Sequence, residues 1–256
     1  MPRASLPRHF YESSARPMTG VAADYPDGHR VPAHQHPRAQ LVHAVRGVML
    51  VGGERQRWVV PPNRALWLPP GQVHDIRMRG AVRMRSLFVD GFPGLPAESR
   101  VIEVPGLLRE LILAVTRLPP LYPQEGRNRH LLGLLLDELR LQQALPPLQL
   151  PWPSEPRLAA VCERLLAQPD DARTVAQWAG EMAVSGKTFQ RQFHRQTGLG
   201  FARWRQQARL LGALEHLVAG RPIGHVALAQ GYASQSAFAA AFRAHFGMPP
   251  SQFITV

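Results

Sequence analysis

The sequence predicts an α+β protein with a β-rich N-terminal domain, a helical middle region and an all-α C-terminal domain. Short runs of Val, Leu and Trp, separated by Gly, Pro and Asn, fill residues 21–92 and are typical of strands. Leucines at helical spacing follow as far as residue 145. A proline-rich stretch at 146–156 then leads into a final segment whose apolar residues recur with helical periodicity almost throughout.

Composition limits the classes of function. A chain of 256 residues suits one large or two ordinary domains, and its formal net charge of +12 favours a polyanionic partner. The single cysteine, Cys162, excludes an intrachain disulfide and fits a reducing compartment. The N-terminus shows no apolar signal segment, and no uncharged apolar run approaches the roughly 20 residues of a membrane helix. We therefore expect a cytoplasmic protein without membrane contact.

The β-rich region predicts several short strands with regular turn signals, which is typical of a small barrel or sandwich. Residues 1–20, before it, are expected to form an irregular arm. A Gly-Gly pair at 52–53 predicts a hairpin turn. The predicted strands include Gln40–Val45, Gly47–Val51, Arg57–Val60 and Ala65–Leu68.

Three histidines in this region are spaced so that their side chains can meet. His34 and His36 are two residues apart, so both can face the same side of a strand. His74 follows a Pro-Gly turn and can complete a three-nitrogen site. Imidazole suits Zn, Fe, Ni or Cu, so a divalent metal is one candidate occupant. The alternative is that the histidines line a ligand pocket or are hydrogen-bonded structural residues.

This spacing resembles the two sequence motifs of the cupin barrels. The matching residues are His34, His36, Pro69, Gly71 and His74. The glutamate, the second-motif glycine and the final asparagine of the family are replaced by Gln40, Asn63 and Met78. The resemblance implies a cupin-like sensor barrel whose metal ligands, where a metal is bound, are His34, His36, Gln40 and His74. Because the carboxylate is lost, an oxygen ligand and a negative charge are lost with it.

Two helices are predicted in the middle region, at Gly106–Leu118 and Arg127–Leu145. Leucine surrounds so much of the second helix that two of its sides are expected to be buried. One side can pack on the β-rich domain, and the other favours a homodimer interface. Packing within a single domain is the alternative. The five prolines of residues 146–156 exclude a helix interior and predict a semi-rigid spacer.

The C-terminal domain contains a unit of helix, short turn and helix that occurs twice. Ser185–Gly198 predicts a helix with a serine N-cap, two phenylalanines on one face and a glycine stop. The same spacing recurs 49 residues later in Ser234–Gly247. Such helix-turn-helix units present their second helix to a DNA major groove. The long helix between them, Phe201–Ala219, spans roughly 28 Å, so with its flanking turns it could separate the presented helices by about one DNA turn, ~34 Å.

These motifs resemble the AraC/XylS family of bacterial transcription regulators over about residues 155–256. The residues that carry the resemblance include Ala183-Val184-Ser185, Phe189, Arg191, Phe193, Thr197-Gly198, Trp204, Arg209-Leu210, Gly231-Tyr232, Ser234, Phe238, Phe242-Arg243, Phe246-Gly247 and Pro250. The resemblance implies a DNA-binding domain at 154–256, a sensor barrel at 1–92, and a helical dimerisation region with a linker at 93–153. The N-terminal half is similar to a subgroup that controls neighbouring efflux-type transporter genes.

The resemblance also implies roles for individual residues. The positions that match base-reading residues are Lys187, Gln190, Arg191, Ser236, Ala237 and Ala240. The candidates for contacts to the DNA backbone are Ser185, Arg195, Arg203, Arg205, Arg209, Ser234, Gln235 and Arg243. Residues 171–209 contain seven Lys or Arg and two Asp or Glu, whereas residues 210–256 contain two and one. We therefore expect the first unit to discriminate bases and the second mainly to position the protein.

Three classes of function follow from the sequence. A ligand-responsive transcription regulator is favoured, with double-stranded DNA, a small-molecule effector and a second subunit as partners, and with RNA polymerase as a further partner of an activator. A metal-dependent cupin enzyme with a DNA-binding appendage is the enzyme alternative. A nucleoid-type binder is the third, and it would show neither sequence preference nor a response to a small molecule.

Overall fold

The computed structural model describes residues 14–90, 92–145 and 148–254. The chain divides into two compact units, and the α+β prediction is confirmed. Unit 1 is Met1–Val51 with Val60–Pro146, and unit 2 is Gly52–Val59 with Pro147–Val256. Residues 1–13 of the expected arm lie outside the described residues. The end of that arm is not irregular, because strand β1 already begins at Met18.

Unit 1 is an antiparallel sheet covered by two helices. Its strands are β1 (Met18–Tyr25), β2 (Arg30–His34), β3 (Ala39–Gly52), β5 (Arg64–Leu68), β6 (His74–Val89) and β7 (Arg100–Glu103). The 16-residue β6 pairs with β1 and β2, and β5 pairs with β3 and β7. On β6, the even-numbered residues 74, 76, 78, 82, 84, 86 and 88 are buried.

One strand, β3, replaces two predicted strands. The sequence predicts a break at residue 46, but β3 continues through it for 14 residues. Gly47 allows this, because it adopts a φ of 78° that a side chain would disfavour. It also lies so close to β6 that a Cβ at this position would be 2.7 Å from Cγ2 of Val82. β3 therefore continues through Gly47 instead of ending there.

The two helices of unit 1 are α1 (Gly106–Thr116) and α2 (Arg127–Leu141). Both end earlier than predicted. Their apolar faces form one core with the strands, and the odd-numbered Leu41, Leu87 and Val89 belong to it. The prediction separates these helices from the strands as a region of their own, but the contacts place them in the same unit. Burial of the shared apolar surface explains why they are not independent.

Unit 2 contains a short pair of strands and seven helices among its described residues. The helices are α3 (Pro156–Ala167), α4 (Val175–Glu181), α5 (Gly186–Thr197), α6 (Phe201–Val218), α7 (Ile223–Ala229), α8 (Gln235–Phe246) and α9 (Pro250–Ile254). Strand β8 (Gln149–Pro151) lies inside the predicted proline-rich spacer and pairs with β4 (Gln56–Val60). The indole of Trp204 donates a hydrogen bond of 2.7 Å to the Pro151 carbonyl, so part of the spacer is anchored to α6.

Helix α6 is the central element of unit 2. It packs against α3, α5, α7 and α8, and therefore against both helix-turn-helix units. Its buried side chains are Phe201, Trp204, Ala208, Leu210, Leu211, Ala213, Leu214 and Leu217. Throughout the described part of the chain, none of the helices combines the length and the apolar character needed to cross a membrane.

Candidate nucleic-acid interface and histidine cluster

The two presented helices, α5 and α8, have the same length and the same ends. The Ser185 hydroxyl accepts a hydrogen bond from the Thr188 amide at 3.2 Å, and the Ser234 hydroxyl accepts one from the Ala237 amide at 3.1 Å. Both helices stop at a left-handed glycine, with φ of 71° and 77°. The predicted caps and stops are therefore confirmed, and both serines act first as helix caps.

The turns before these helices are also equivalent, which shows that the repeat is structural. Ala183 and Gly231, 48 residues apart, have φ of 54° and 72°. In the first turn the Val184 amide donates to the Ala179 carbonyl at 3.0 Å. In the second turn the Tyr232 amide donates to the Ala227 carbonyl at 2.9 Å. The sequence contains a signal for this match, because Ala183 and Gly231 align at the offset that relates the preceding helices.

Aromatic side chains hold each presented helix from behind. The Phe193 ring lies edge-on to Trp204, with centroids 5.7 Å apart, and Phe189 lies edge-on to Phe201 at 5.1 Å. In the second helix-turn-helix unit Phe238, Phe242 and Phe253 are buried, and the Phe242 ring contacts both of the others. Phe246 is only half-buried, so it is a less complete core residue than predicted. The buried rings therefore position the helices from the core side.

The opposite faces of α5 and α8 are exposed. Lys187, Gln190 and Arg191 on α5 are exposed, as are Ser236, Ala237 and Ala240 on α8. Among the predicted backbone-contacting residues, Arg195, Arg203, Gln235 and Arg243 are exposed as well. Lys187, Gln190 and Arg191 therefore offer an ammonium, an amide and a guanidinium to a groove, whereas α8 offers hydroxyl and methyl groups.

Two of the predicted backbone contacts are used inside the protein. The Arg209 guanidinium is half-buried, and it donates to the Pro169 carbonyl at 2.7 Å and to the Gly231 carbonyl at 3.1 Å. Burial lowers the pKa of Arg209 from its usual value. Arg205 is half-buried as well, and it donates to the Arg173 carbonyl at 3.0 Å. The geometry thus gives Arg209 a structural role, and its contact to phosphate stays a prediction.

Sequence reasoning also missed an ion-pair network on the surface of the first helix-turn-helix unit, within unit 2. Arg173 pairs with Asp171 and with Glu181, and Glu181 also accepts a bond of 2.6 Å from Arg164. The hydrogen bond from Arg173 holds the pKa of Glu181 below its usual value. The Arg173 guanidinium lies 3.8 Å from the centre of the Trp178 ring. The cations of this unit that point outwards are consequently fewer than the count from sequence suggests.

The second feature is the histidine triad, His34, His36 and His74, in unit 1. The structure brings the three predicted residues together: ring centroids are 4.3 Å apart for His34 and His74, 4.8 Å for His34 and His36, and 5.4 Å for His36 and His74. His34 and His74 are direct partners on β2 and β6. Among the described residues, the triad is the group whose ligand atoms could hold a metal ion, and no carboxylate belongs to it.

Gln40 lies on the side of the sheet that carries the triad. Its amide nitrogen donates to the Ser86 hydroxyl at 2.8 Å, and His36 contacts Phe88 with ring centroids 4.9 Å apart. Ser86 and Phe88 are two residues apart on β6, so they face the same side. Gln40 is 4% exposed, and its amide oxygen has no hydrogen-bond partner among the described residues.

Another histidine in the same unit, His43, is different in kind. Its side chain is fully buried, and its Nδ1 donates to the Arg64 carbonyl at 2.9 Å. Burial lowers the pKa of His43 to about 4, so the ring is neutral at pH 7. It is a structural histidine, and it does not belong to the triad.

Comparison with known proteins gives matches across both units. Residues 178–255 match a family model described as "Helix-turn-helix domain", and residues 17–144 match one described as "AraC-like ligand binding domain". The chain is 34% identical over 224 residues to the HTH-type transcriptional regulator NimR of Escherichia coli K12, an alignment that covers 87% of this chain and 82% of NimR. It is 36% identical over 105 residues to the HTH-type transcriptional regulator RipA of Corynebacterium glutamicum, covering 41% of this chain and 32% of RipA.

Among solved structures, a crystal form of ToxT from Vibrio cholerae aligns with a TM-score of 0.40 and 8% identity, over 94% of this chain and 98% of that chain. The matched relatives are transcriptional regulators, so the enzyme alternative has no support. The chain therefore belongs to the AraC family of transcriptional regulators, with a ligand-binding domain followed by a helix-turn-helix DNA-binding domain.

Proposed function

We propose that this regulator binds its operator by inserting α5 and α8 into successive major grooves on one side of the duplex. The observation that supports this most directly is the matched presentation of the two helices, with serine caps, glycine stops and a left-handed residue in each preceding turn. The 18-residue α6 would span about 27 Å at 1.5 Å per residue. With its flanking turns this approaches the roughly 34 Å of one DNA turn.

The two helices would contribute unequally. Lys187, Gln190 and Arg191 can each hydrogen-bond to base edges, Arg in a bidentate fashion to guanine and Gln to adenine. The exposed groups of α8 include Ala237 and Ala240, whose methyl groups make only apolar contacts. On this proposal α5 discriminates bases and provides most of the affinity, and α8 mainly docks the protein on the DNA.

Footprinting of the purified protein on the DNA upstream of its own gene tests this function. We expect two protected major-groove segments about one helical turn apart, on one face of the duplex. Methylation interference should be stronger in the segment that contacts α5, because bidentate contacts to guanine use its N7. Uniform protection without sequence preference would instead indicate the nucleoid-type alternative.

The biological setting of the proposal follows the sequence resemblance. A small-molecule effector would bind in unit 1, and the regulated genes would lie beside the regulator's own gene and include a transporter. The protein would work in the bacterial cytoplasm, where the chromosome lies, and would contact RNA polymerase if it activates transcription. Expression of the neighbouring genes in a strain that lacks the regulator would show whether they are its targets.

We further propose that unit 1 forms a homodimer through the outer face of α2. Five leucines of this helix, Leu131, Leu132, Leu135, Leu136 and Leu139, are buried within unit 1. Leu134 and Leu141 are 44% and 73% exposed, and lie one heptad apart on the opposite face. Next to them, a Cβ on Gly133 would have no atom within 4 Å, so a second helix could approach closely there.

Charges on the same face favour an antiparallel arrangement of two α2 helices. Arg127 and His130 lie in the N-terminal half of the exposed stripe, and Asp137 lies in the C-terminal half, where it pairs with Arg140 of the same helix at 3.1 Å. Antiparallel pairing about Leu134 would bring the basic end of each helix beside Asp137 of the other, which would then exchange or share its partner. Such an interface is self-complementary, as a two-fold dimer requires.

Leu134→Glu should weaken this dimer. Burying one leucine contributes about 1.5–3 kcal/mol, and the two-fold axis doubles the loss, so we expect the dimer dissociation constant to rise at least about a hundredfold. Sedimentation velocity over a range of concentrations measures it. Leu121→Glu is the matched control, because Leu121 is 64% exposed in the same unit but lies outside α2. Equal effects of the two substitutions would argue against the α2 interface.

A further inference from the structure

The geometry of the histidine triad suits a metal ion. Its candidate ligand atoms all lie within 4.8 Å of one another. Two imidazole nitrogens bound to one zinc ion at about 2.1 Å can be at most about 4.2 Å apart. Small rotations of the side chains would therefore bring all three nitrogens to one ion. Two of the three rings are almost fully buried, with His36 4% and His74 2% exposed, so their directions are set by packing.

Backbone carbonyls fix the tautomer of two members of the triad. Nδ1 of His34 lies 2.7 Å from the Pro32 carbonyl, and Nδ1 of His74 lies 2.9 Å from the Gln72 carbonyl. A carbonyl oxygen only accepts hydrogen bonds, so each Nδ1 carries the proton of the neutral ring. The lone pair is then on Nε2, which is the arrangement found in histidines that bind metals.

The charge of such a site would be incomplete. Three neutral imidazoles leave a divalent ion with its full charge of +2, and among the described residues no Asp, Glu or Cys joins the cluster. An uncompensated charge in a buried position costs several kcal/mol. Gln40 cannot compensate it, because its amide is neutral and its nitrogen is held by Ser86. A negatively charged ligand that enters from outside and coordinates the ion would supply the charge that the cluster's own ligand atoms lack.

We propose that unit 1 binds a divalent transition metal through Nε2 of His34, His36 and His74, and that the effector is a small organic anion whose oxygen coordinates this metal. Three protein ligands leave at least one coordination position open, as in catalytic zinc sites. Metal and anion would then bind cooperatively, because each lowers the cost of burying the other. The effector part of this inference rests on the proposed ligand response, whereas the metal part is independent of DNA binding.

The test uses Co²⁺ as a spectroscopic probe and acetate as the simplest carboxylate, with the full-length protein and no DNA. Co²⁺ is titrated and its visible absorption recorded, in sodium acetate and in sodium perchlorate of equal ionic strength. We expect saturable binding with a stoichiometry of one, and a Co²⁺ affinity that acetate raises about 5- to 150-fold, the usual range of coupling between two ligands. His36→Ala should abolish the saturable spectrum. His29→Gln, which changes an exposed histidine outside the triad, should not.

Gln40→Glu separates the charge argument from simple metal binding. A carboxylate at this position would supply the missing negative charge, so Co²⁺ should bind more tightly in perchlorate and acetate should have little further effect. Absence of Co²⁺ binding by the wild-type protein, or identical spectra for His36→Ala and His29→Gln, would overturn the metal site. Equal wild-type affinities in acetate and perchlorate would overturn the anion, and this measurement needs no variant. Operator binding by apo-protein in a footprint keeps either failure distinct from failure of the DNA-binding function.

Discussion

Arg209→Ala lowers the free energy of unfolding of unit 2 by about 2–4 kcal/mol, because two hydrogen bonds from a charged group are lost at once. The guanidinium donates to the Pro169 carbonyl, before α4, and to the Gly231 carbonyl, in the turn of the second helix-turn-helix unit. A Cβ on Gly231 would lie 2.8 Å from Nη2 of Arg209, so the turn and the side chain fit closely. Urea unfolding gives the total change, and amide hydrogen exchange shows whether the loss lies within unit 2.

The salt dependence of operator binding distinguishes this structural role from a phosphate contact. Each phosphate contact contributes about 0.9 to the slope of log K against log salt concentration. Arg203→Ala is the matched control, because Arg203 is on the same helix and is exposed. We expect Arg203→Ala to reduce the slope without a large change in stability, and Arg209→Ala to do the reverse. If Arg209→Ala reduced the salt-dependence slope and left the free energy of unfolding unchanged, Arg209 would contact phosphate as the sequence predicts.

Local patterns were enough to predict the helices of unit 2 and the ends of its presented helices. Serine caps and glycine stops act within one helical turn, so Ser185–Gly198 and Ser234–Gly247 could be read directly from the chain. The long helix was predicted one residue too long, since α6 ends at Val218 and not at Ala219.

What could not be predicted depends on contacts between residues that are distant in sequence. The bonds of Arg209 span 40 and 22 residues, and nothing local distinguishes this arginine from the exposed Arg203. The pairing of β8 with β4 joins segments about ninety residues apart, so the proline-rich stretch gave no sign of a strand. Conversely, the triad could be predicted, because two of its members are only two residues apart and the third follows a recognisable turn. The predicted shared strand was not the reason, since β2 ends at His34 and His36 lies beyond it.

The two helix-turn-helix units differ in positive charge even when the arginines that bond inside the protein are left out of the count. Arg173, Arg205 and Arg209 all donate inside the protein. The exposed cations that remain in residues 171–209 are Lys187, Arg191, Arg195 and Arg203, whereas residues 210–254 retain Arg221 and Arg243. The excess positive charge of the first helix-turn-helix unit therefore lies on exposed side chains of α5 and of the start of α6. This distribution underlies the expectation that α5 makes the stronger DNA contacts.

Arg191→Ala should weaken operator binding by about 1–3 kcal/mol and relax the preference at one base pair, because an arginine that donates two bonds to guanine is lost. Arg191 is exposed near the middle of α5 and does not belong to the aromatic core, so the fold should be retained. Binding to a library of operators with single base changes measures both effects. Nonspecific DNA serves as the reference for the loss of one positive charge.

The equivalent position of the second unit provides the comparison. Ala240 lies 49 residues after Arg191 and is exposed on α8. If α8 mainly docks the protein, Ala240→Arg should add affinity that depends on salt but not on sequence, since the new cation would find phosphates more readily than a matching guanine. If α5 reads bases and α8 mainly docks the protein, the effect of Arg191→Ala on affinity must depend on the operator sequence and that of Ala240→Arg must not. Small effects of equal size on all operators would show that both helices contribute alike, and the base-reading role of α5 would then have to be abandoned.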